Sequence, residues 1–308
     1  MKRVLITGAT GLVGDGICRY FLEKKWKVFG TSRNELHSLD PLFTPIKLDL
    51  NSPNDLYKLN ECLPVDAIIH SAAKLPYTLK DENDVKNYYK CNVDGTRSLL
   101  DWLIISKIKK FIYISSTGVC DSRNSNSIET NFINPKLNHY HTSKAMGELL
   151  CNLYKDSYPN ITIMRIKAPY GYKENKSVFS KFIHLVKNNK NITLWGTGKR
   201  SQTFTFVEDI GFACELAINH KKSNSLYNIA GNETISMKEL ANKIINLVPN
   251  SDSKVVFLDK PDPNQNEINS ISFEKAKNEI SYLPRFNIES GLNKIIQLSG
   301  KKFYRQSK

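Results

Sequence analysis

The stretch Arg3-Val4-Leu5-Ile6-Thr7-Gly8-Ala9-Thr10-Gly11-Leu12-Val13-Gly14 decides the fold. Its first five residues are a short, largely apolar and β-branched run, the signature of a fully buried strand. The run stops at a glycine, and a helical pattern takes over at residues 12–24. Glycines at 8, 11 and 14 allow a tight turn, a close backbone approach to a ligand, and tight packing of the helix that follows. The start of that helix offers free N–H groups and a positive dipole end, which suit a pyrophosphate. Gly8, Thr10, Gly11, Leu12, Val13 and Gly14 are therefore expected to cradle a dinucleotide.

The same rhythm continues outward. Short apolar runs at 27–31, 44–48, 66–70, 111–115 and 161–166 read as buried strands, and segments at 54–60, 84–106 and 140–157 read as helices. Such alternation predicts an α/β fold, a Rossmann-type doubly wound parallel sheet, with ligands along the carboxyl edge of the strands. The second half breaks the pattern. Residues 171–175 and 188–201 are irregular, and 249–253 and 259–269 are rich in Pro, Asp, Asn and Ser. Shorter helices are expected at 178–187, 207–219, 236–248 and 288–298. The predicted organisation is a dinucleotide-binding domain over 1–168, to which part of 203–235 returns, and a smaller C-terminal α/β lobe for substrate over 169–308.

Composition sets outer bounds. At 308 residues, 40% hydrophobic and 24% charged, the chain is long enough to bury a core without staples. No run approaches the roughly 20 apolar residues of a membrane span, and the start has no signal-like apolar region. The six cysteines show no CxxC or metal-like spacing, so no metal site is expected, and buried free thiols in a reducing cytoplasm are. The net charge of +14 favours anionic partners. Its lysines are spread along the chain, which points to a solvated surface and a phosphate-bearing small molecule rather than nucleic acid.

Two further motifs carry chemistry. The second strand ends Gly30-Thr31-Ser32-Arg33, without the acid that usually holds the ribose hydroxyls of NAD. Arg33 offers a fork-shaped donor and Ser32 a short hydroxyl, which favours the 2′-phosphate of NADP; NAD is the alternative. Tyr140-His141-Thr142-Ser143-Lys144 puts a phenol and an amine on one helical face. There Lys144 is expected to depress the phenol's pKa, so that Tyr140 exchanges a proton with a carbonyl or alcohol oxygen. Ser116, in Ser115-Ser116-Thr117-Gly118 at the end of the fifth strand, supplies a hydroxyl for the same oxygen. His70, a single histidine at a strand end, reads as a packed residue.

These motifs, taken in order, resemble the extended short-chain dehydrogenase/reductase family, in its NAD-dependent epimerase/dehydratase group that modifies nucleotide sugars. The similarity runs nearly end to end. It includes Asp49-Leu50, His70-Ser71-Ala72-Ala73, Asn92-Val93-Asp94-Gly95-Thr96, Arg165 leading to Pro169-Tyr170-Gly171, and Gly196-Thr197-Gly198 followed by Phe204 to Asp209 and Tyr227 to Gly231. The resemblance implies Ser116, Tyr140 and Lys144 as catalytic residues. It implies Asp49 and Leu50 at the adenine, Ala72, Ala73 and Lys74 at the ribose and nicotinamide, and Ser115 and Pro169 as further cofactor contacts. Lys74, Ser116, Thr117, Ala168, Val178, Lys181, Trp195, Arg200 and Gln202 would meet the substrate. A homodimer is expected through helices 84–106 and 140–157, on which Leu99, Leu103, Met146 and Leu150 could face either the partner or the sheet.

Departures from the family pattern narrow the function. Dehydratases of the group carry an Asp-Glu pair where this chain has Thr117 and Gly118, neither of which is an acid or base at neutral pH. Gln202 stands where an arginine often grips the diphosphate, with Arg200 nearby, and Ala168 replaces a common asparagine. The expectation is an NADPH-dependent reductase of a keto group, at C4 by resemblance, on a nucleotide-activated deoxysugar. A nucleotide-sugar epimerase retaining NAD, a reductase of another carbonyl such as a flavonoid or sterol, and a non-catalytic redox-sensing or RNA-associated relative stay open as alternatives.

Overall fold

The computed structural model describes residues 1–76, 85–120, 126, 128–135, 138–158, 160–173, 177–221, 224–298 and 301–306. Seven strands form the central sheet: β1 (Arg3–Thr7), β2 (Lys27–Ser32), β4 (Phe43–Lys47), β5 (Ala67–His70), β6 (Phe111–Ser116), β7 (Ile161–Ile166) and β12 (Leu226–Ile229). They run in the order β12-β7-β6-β5-β1-β2-β4, and every pairing is parallel. The expected doubly wound fold is what the chain adopts, with strand ends shifted by a residue or so.

Alternate strand residues face opposite layers, as the period of two requires. On β1, Val4 and Ile6 join one buried cluster and Leu5 joins the other. The first cluster packs under α1 (Leu12–Glu23) and α6 (Val207–Asn219). The second packs under α3 (Gly95–Ser106) and α4 (His139–Tyr154). Leu99 and Leu103 are fully buried in this second layer, so they face the sheet.

Two elements differ from expectation. The segment expected as a helix at 54–60 is a 3₁₀ helix, Pro53–Cys62. The long helix expected over 84–106 is α2 (Val85–Tyr89), a π turn (Lys90–Asp94) and then α3, while residue 84 lies outside the described residues. A π turn places one extra residue in the helix, and here that residue set carries Asn92.

A third cluster forms the smaller lobe, from α5 (Val178–Lys187), α7 (Met237–Leu247) and α9 (Ile288–Gln297), with Tyr170, Phe204 and Phe206 beneath them. Small sheets complete the chain. β3 (Leu36–Ser38) pairs with β16 (Tyr304–Gln306), β8 (Pro169–Tyr170) with β11 (Thr205–Phe206), and β9 (Ile192–Trp195) with β14 (Val255–Leu258). β10 (Ser201–Thr203) lies between β13 (Thr234–Ser236) and β15 (Ile268–Asn269). The short α8 (Glu274–Ile280) packs on the first layer. All six cysteines are free, five of them buried. Among the described residues, no helix is long and apolar enough to cross a membrane.

What positions the site is the seat of α4. A side chain at Gly147 would place its Cβ 2.0 Å from the Tyr113 hydroxyl, so only glycine lets α4 lie this close to β6. The next residue, Glu148, holds Arg165 of β7 through a buried ion pair of 2.8 Å and accepts a hydrogen bond from the Ser115 hydroxyl at 2.5 Å. A charge pair this dry is costly to break from one side only, about 3–5 kcal/mol.

Candidate active site

The turn after β1 is built from bare backbone. Gly8 has φ +71°, and a Cβ there would stand 2.7 Å from Ala72 Cα. A Cβ on Gly14 would stand 2.1 Å from the Gly8 carbonyl oxygen. No side chain fits at either position, so the loop presents main chain to whatever lies over it. The Gly11 N–H donates to Gly8 O at 2.9 Å, and Ala9 N–H to Thr31 O at 3.0 Å, which ties the turn to the end of β2. Gly11 caps α1 with no side-chain acceptor, leaving the first-turn N–H groups of Leu12, Val13 and Gly14 for an anion. The cradle fits a dinucleotide pyrophosphate.

At the tip of β2, Ser32 is buried and its hydroxyl accepts from Asn34 N–H at 3.1 Å, while Arg33 is exposed. The nearest following acid, Glu35, lies 4.0 Å from Lys47. Asp49 accepts from the backbone and side chain of Asn51, both at 3.0 Å. Burial pushes the Cys91 thiol up, and the charges of Arg33 and Asp49 act on it in opposite directions, the first lowering and the second raising its pKa.

A buried hydrogen-bond chain runs from this cradle to α4. Thr96 Oγ1 donates to Asn92 O at 2.7 Å, so it can only accept from His70 Nε2, 3.0 Å away. His70 Nδ1 then accepts from Thr7 Oγ1 at 2.7 Å, and that same oxygen accepts from Ala72 N–H at 3.2 Å. Asn92 Oδ1 accepts from Lys74 N–H at 2.7 Å, and its Nδ2 donates to Lys74 O at 3.1 Å and to Ser143 Oγ at 2.8 Å. The Ser143 hydroxyl donates in turn to the Tyr140 carbonyl oxygen at 2.7 Å. His70 is thus the packed residue expected, and Asn92 is a positioning residue that the sequence showed only as part of a motif.

Asn138 starts α4 by accepting from His141 N–H at 3.1 Å, which fixes the first turn carrying Tyr140. Tyr140 is half-buried, and burial pushes its phenol up to about 12. Burial pushes Lys144 down to about 8. Its ammonium lies 4.0 Å over the Tyr113 ring. The expected depression of the phenol by Lys144 therefore yields here to desolvation, which acts upward on Tyr140 and downward on Lys144. Ser116, half-buried at the end of β6, accepts from Gly118 N–H at 3.2 Å, and Thr117 is buried.

The other expected residues are spread more widely. Leu50 is buried, Ala73 and Lys74 are half-buried in the strand-end loop, and Pro169 opens β8. Ser115 turns its hydroxyl to Glu148. Ala168 sits at φ +35°, in a region that costs an L-residue about 1–2 kcal/mol and that the usual asparagine tolerates better. Val178 packs against the third cluster and Lys181 is exposed. Gln202 lies in β10, which pairs with β13 and β15, and Arg200 directly precedes that strand. Trp195 is half exposed on β9, with Lys260 Nζ 3.9 Å over its ring.

A parallel Rossmann sheet with a glycine cradle at β1 and a Ser-Tyr-Lys set on β6 and α4 defines a dinucleotide-dependent enzyme class. The sequence profile of the NAD dependent epimerase/dehydratase family matches residues 4–230, and the chain belongs to that family. A dTDP-D-glucose 4,6-dehydratase of Dictyostelium discoideum is 32% identical over 281 residues, covering 80% of this chain and 62% of the relative's own length. An uncharacterized UDP-glucose epimerase of Bacillus subtilis, YtcB, is 28% identical over 318 residues, 96% of this chain and 98% of the relative. Among solved structures, a UDP-glucuronic acid 4-epimerase from Bacillus cereus in complex with UDP-glucuronic acid and NAD superposes with a TM-score of 0.82. It is 25% identical and covers 96% of this chain and 99% of its own. The family resemblance read from the sequence is thereby established.

His70 gives the site a pH signature. Burial holds the folded imidazole near 3, against an ordinary value of 6.5. The unfolded chain takes up the proton first, so this contribution to stability is complete above about 6.5 and is lost as the pH falls towards 3. Urea midpoints measured from pH 7 to pH 4 should therefore fall more steeply in the wild type than in His70→Asn.

Proposed function

We propose that the chain interconverts a keto group and an alcohol at C4 of a nucleotide-activated sugar, working as an NADPH-dependent 4-ketoreductase. The observation that carries the cofactor preference is the β2 tip, where Arg33 is exposed beside the Ser32 hydroxyl and Glu35 is turned to Lys47. A guanidinium fork matches a phosphate dianion, and no carboxylate follows directly to repel it.

The residues divide the work simply. Gly8, Thr10, Gly11, Leu12, Val13 and Gly14 would hold the pyrophosphate, Asp49 and Leu50 the adenine side, and Ala72, Ala73, Lys74 and Pro169 the nicotinamide side. The bound dinucleotide supplies the hydride for C4. Tyr140 gives its proton to the C4 oxygen, and its high pKa suits a group that is protonated before the step. Ser116 donates to the same oxygen and so fixes the carbonyl plane. Lys144 neutralises the phenolate left behind, and with a pKa near 8 it can re-protonate it. Lys74, Thr117, Ala168, Val178, Lys181, Arg200 and Gln202 would line the path of the sugar diphosphate, with Arg200 as the phosphate cation.

A second reading, a 4-epimerase retaining NAD, is favoured by the likeness to the UDP-glucuronic acid 4-epimerase that holds NAD. The same three residues would serve it, with the proton moving in both directions.

Cofactor titration separates the two. The reductase reading expects NADPH to bind at least tenfold tighter than NADH, and dTDP-4-keto-6-deoxyglucose to drive NADPH oxidation. Arg33→Ala should weaken NADPH roughly 10- to 100-fold, the worth of one charge-assisted hydrogen bond, and leave NADH almost unaffected. Tight NAD carried through purification, with no NADPH oxidation, would instead establish the epimerase.

We further propose a homodimer through the outer faces of α3 and α4. Leu99 and Leu103 are spent on the core, and Leu150 packs against it, but Ile105, Met146, Leu149 and Leu153 are exposed. Light scattering should give twice the chain mass, and Leu153→Lys with Leu149→Glu should give the monomer.

A further inference from the structure

A cavity of about 730 Å³ opens behind α1, a volume in the range of small-molecule sites. It is walled by α1, the turn after β8, α5, the end of α9 and the segment that carries β16. None of its lining residues is among those assigned above to the dinucleotide or the sugar. A Cβ on Gly14 would meet the Gly8 carbonyl, whereas the next residue, Asp15, lines the cavity. The helix α1 therefore stands between this cavity and the glycine turn.

Six of the described side chains that line it are Lys or Arg, and the one carboxylate is Asp15. Two of the cations are held in place. Arg19 Nε donates to Asp15 Oδ2 at 2.7 Å and Nη2 to Lys301 O at 2.8 Å, with its guanidinium carbon 4.6 Å from the Tyr172 ring centroid. Lys173 Nζ lies 3.9 Å from Asp15 Oδ1 and donates to the Tyr304 hydroxyl. One carboxylate, 2% exposed, thus serves two cations. Lys187, Lys301, Lys302 and Arg305 are exposed around them and enter no ion pair with a described residue. Lys301 and Lys302 also border a smaller cleft of about 230 Å³ that holds Glu23, Asp40 and Glu208. Lys294 already engages two of those acids, Glu23 at 3.4 Å and Glu208 at 2.5 Å. Elsewhere on this chain of net charge +14 the lysines are spread singly; here they converge on a concave wall, which focuses their field.

We propose that this cavity is a second binding site, separate from the dinucleotide cradle, for a small molecule with two or more linked phosphates. The charges come from four segments, α1, the turn after β8, α5 and the C-terminal segment, so a chain of phosphates can span them where a single small anion cannot. Ile183, Ile295 and Leu298 supply an apolar stretch of wall beside the cations, room for a base if the phosphates belong to a nucleotide.

Calorimetric titration of the holoenzyme, its dinucleotide site saturated, tests this with inorganic triphosphate and with ATP at low ionic strength, where such contacts are least screened. The wild type should bind, and its thermal midpoint should rise with ligand concentration. Lys187→Ala combined with Lys302→Ala should weaken the affinity about 100-fold, the product of two charge-assisted contacts of about tenfold each. Lys109→Ala combined with Lys254→Ala removes the same charge from exposed positions outside the cavity and should leave the affinity unchanged. ATP binding tighter than triphosphate supports the site with a nucleotide as its ligand, and equal affinities support it with the phosphate chain alone. No binding to the saturated holoenzyme, or the same affinity in the two double variants, overturns the proposal and leaves the C4 reading untouched.

Discussion

The carboxamide of Asn92 is the contact on which the site depends. With three side-chain hydrogen bonds it closes on the backbone N–H and C=O of Lys74 and on the Ser143 hydroxyl. It thereby joins the loop after β5 to the helix that carries Tyr140 and Lys144. The amide is 1% exposed, where an unpaired polar group would be costly, so its partners are fixed in place by its own need for them. The chain continues through Thr96 and His70 to Thr7, at the end of the strand that opens the glycine turn. The glycine turn and α4 are therefore one hydrogen-bonded body, and the π turn is the backbone device that carries Asn92.

Most of the fold was legible because buried parallel strands leave continuous apolar runs and their helices leave periodic ones. The turn at Gly8 to Gly14 was legible for a stricter reason, since two of its glycines have backbone atoms within 3 Å of where a Cβ would be. What sequence could not show was direction. Ser115 looked like a cofactor contact, yet its hydroxyl belongs to the buried Glu148–Arg165 pair. Lys144 looked like a charge aimed at Tyr140, and its ammonium rests on the Tyr113 ring. Neither partner is near in sequence. The π turn was invisible as well, because a single extra residue leaves the apolar spacing of 84–106 nearly unchanged.

The smaller lobe was the least legible part. Its short strands pair across long stretches of chain, as β9 does with β14 and β10 with β13 and β15. Ala168 shows how a departure noted in sequence acquires physical content, for it is a missing side chain and also a strained backbone position beside the site. Gly118 does the same. Positions 117 and 118 carry no acid or base of their own, but the room left by Gly118 is taken by an imidazole from α4.

The central claim is that Tyr140, Ser116 and Lys144 govern hydride transfer at C4 of a nucleotide sugar. It is tested most directly by following a label from the nicotinamide. With NADPH deuterated at the transferring carbon and a 4-keto nucleotide sugar, the account predicts one deuteron at C4 of the product by NMR, lost in Tyr140→Phe. Deuterium at another carbon, or full transfer by the Tyr140→Phe variant, would contradict it.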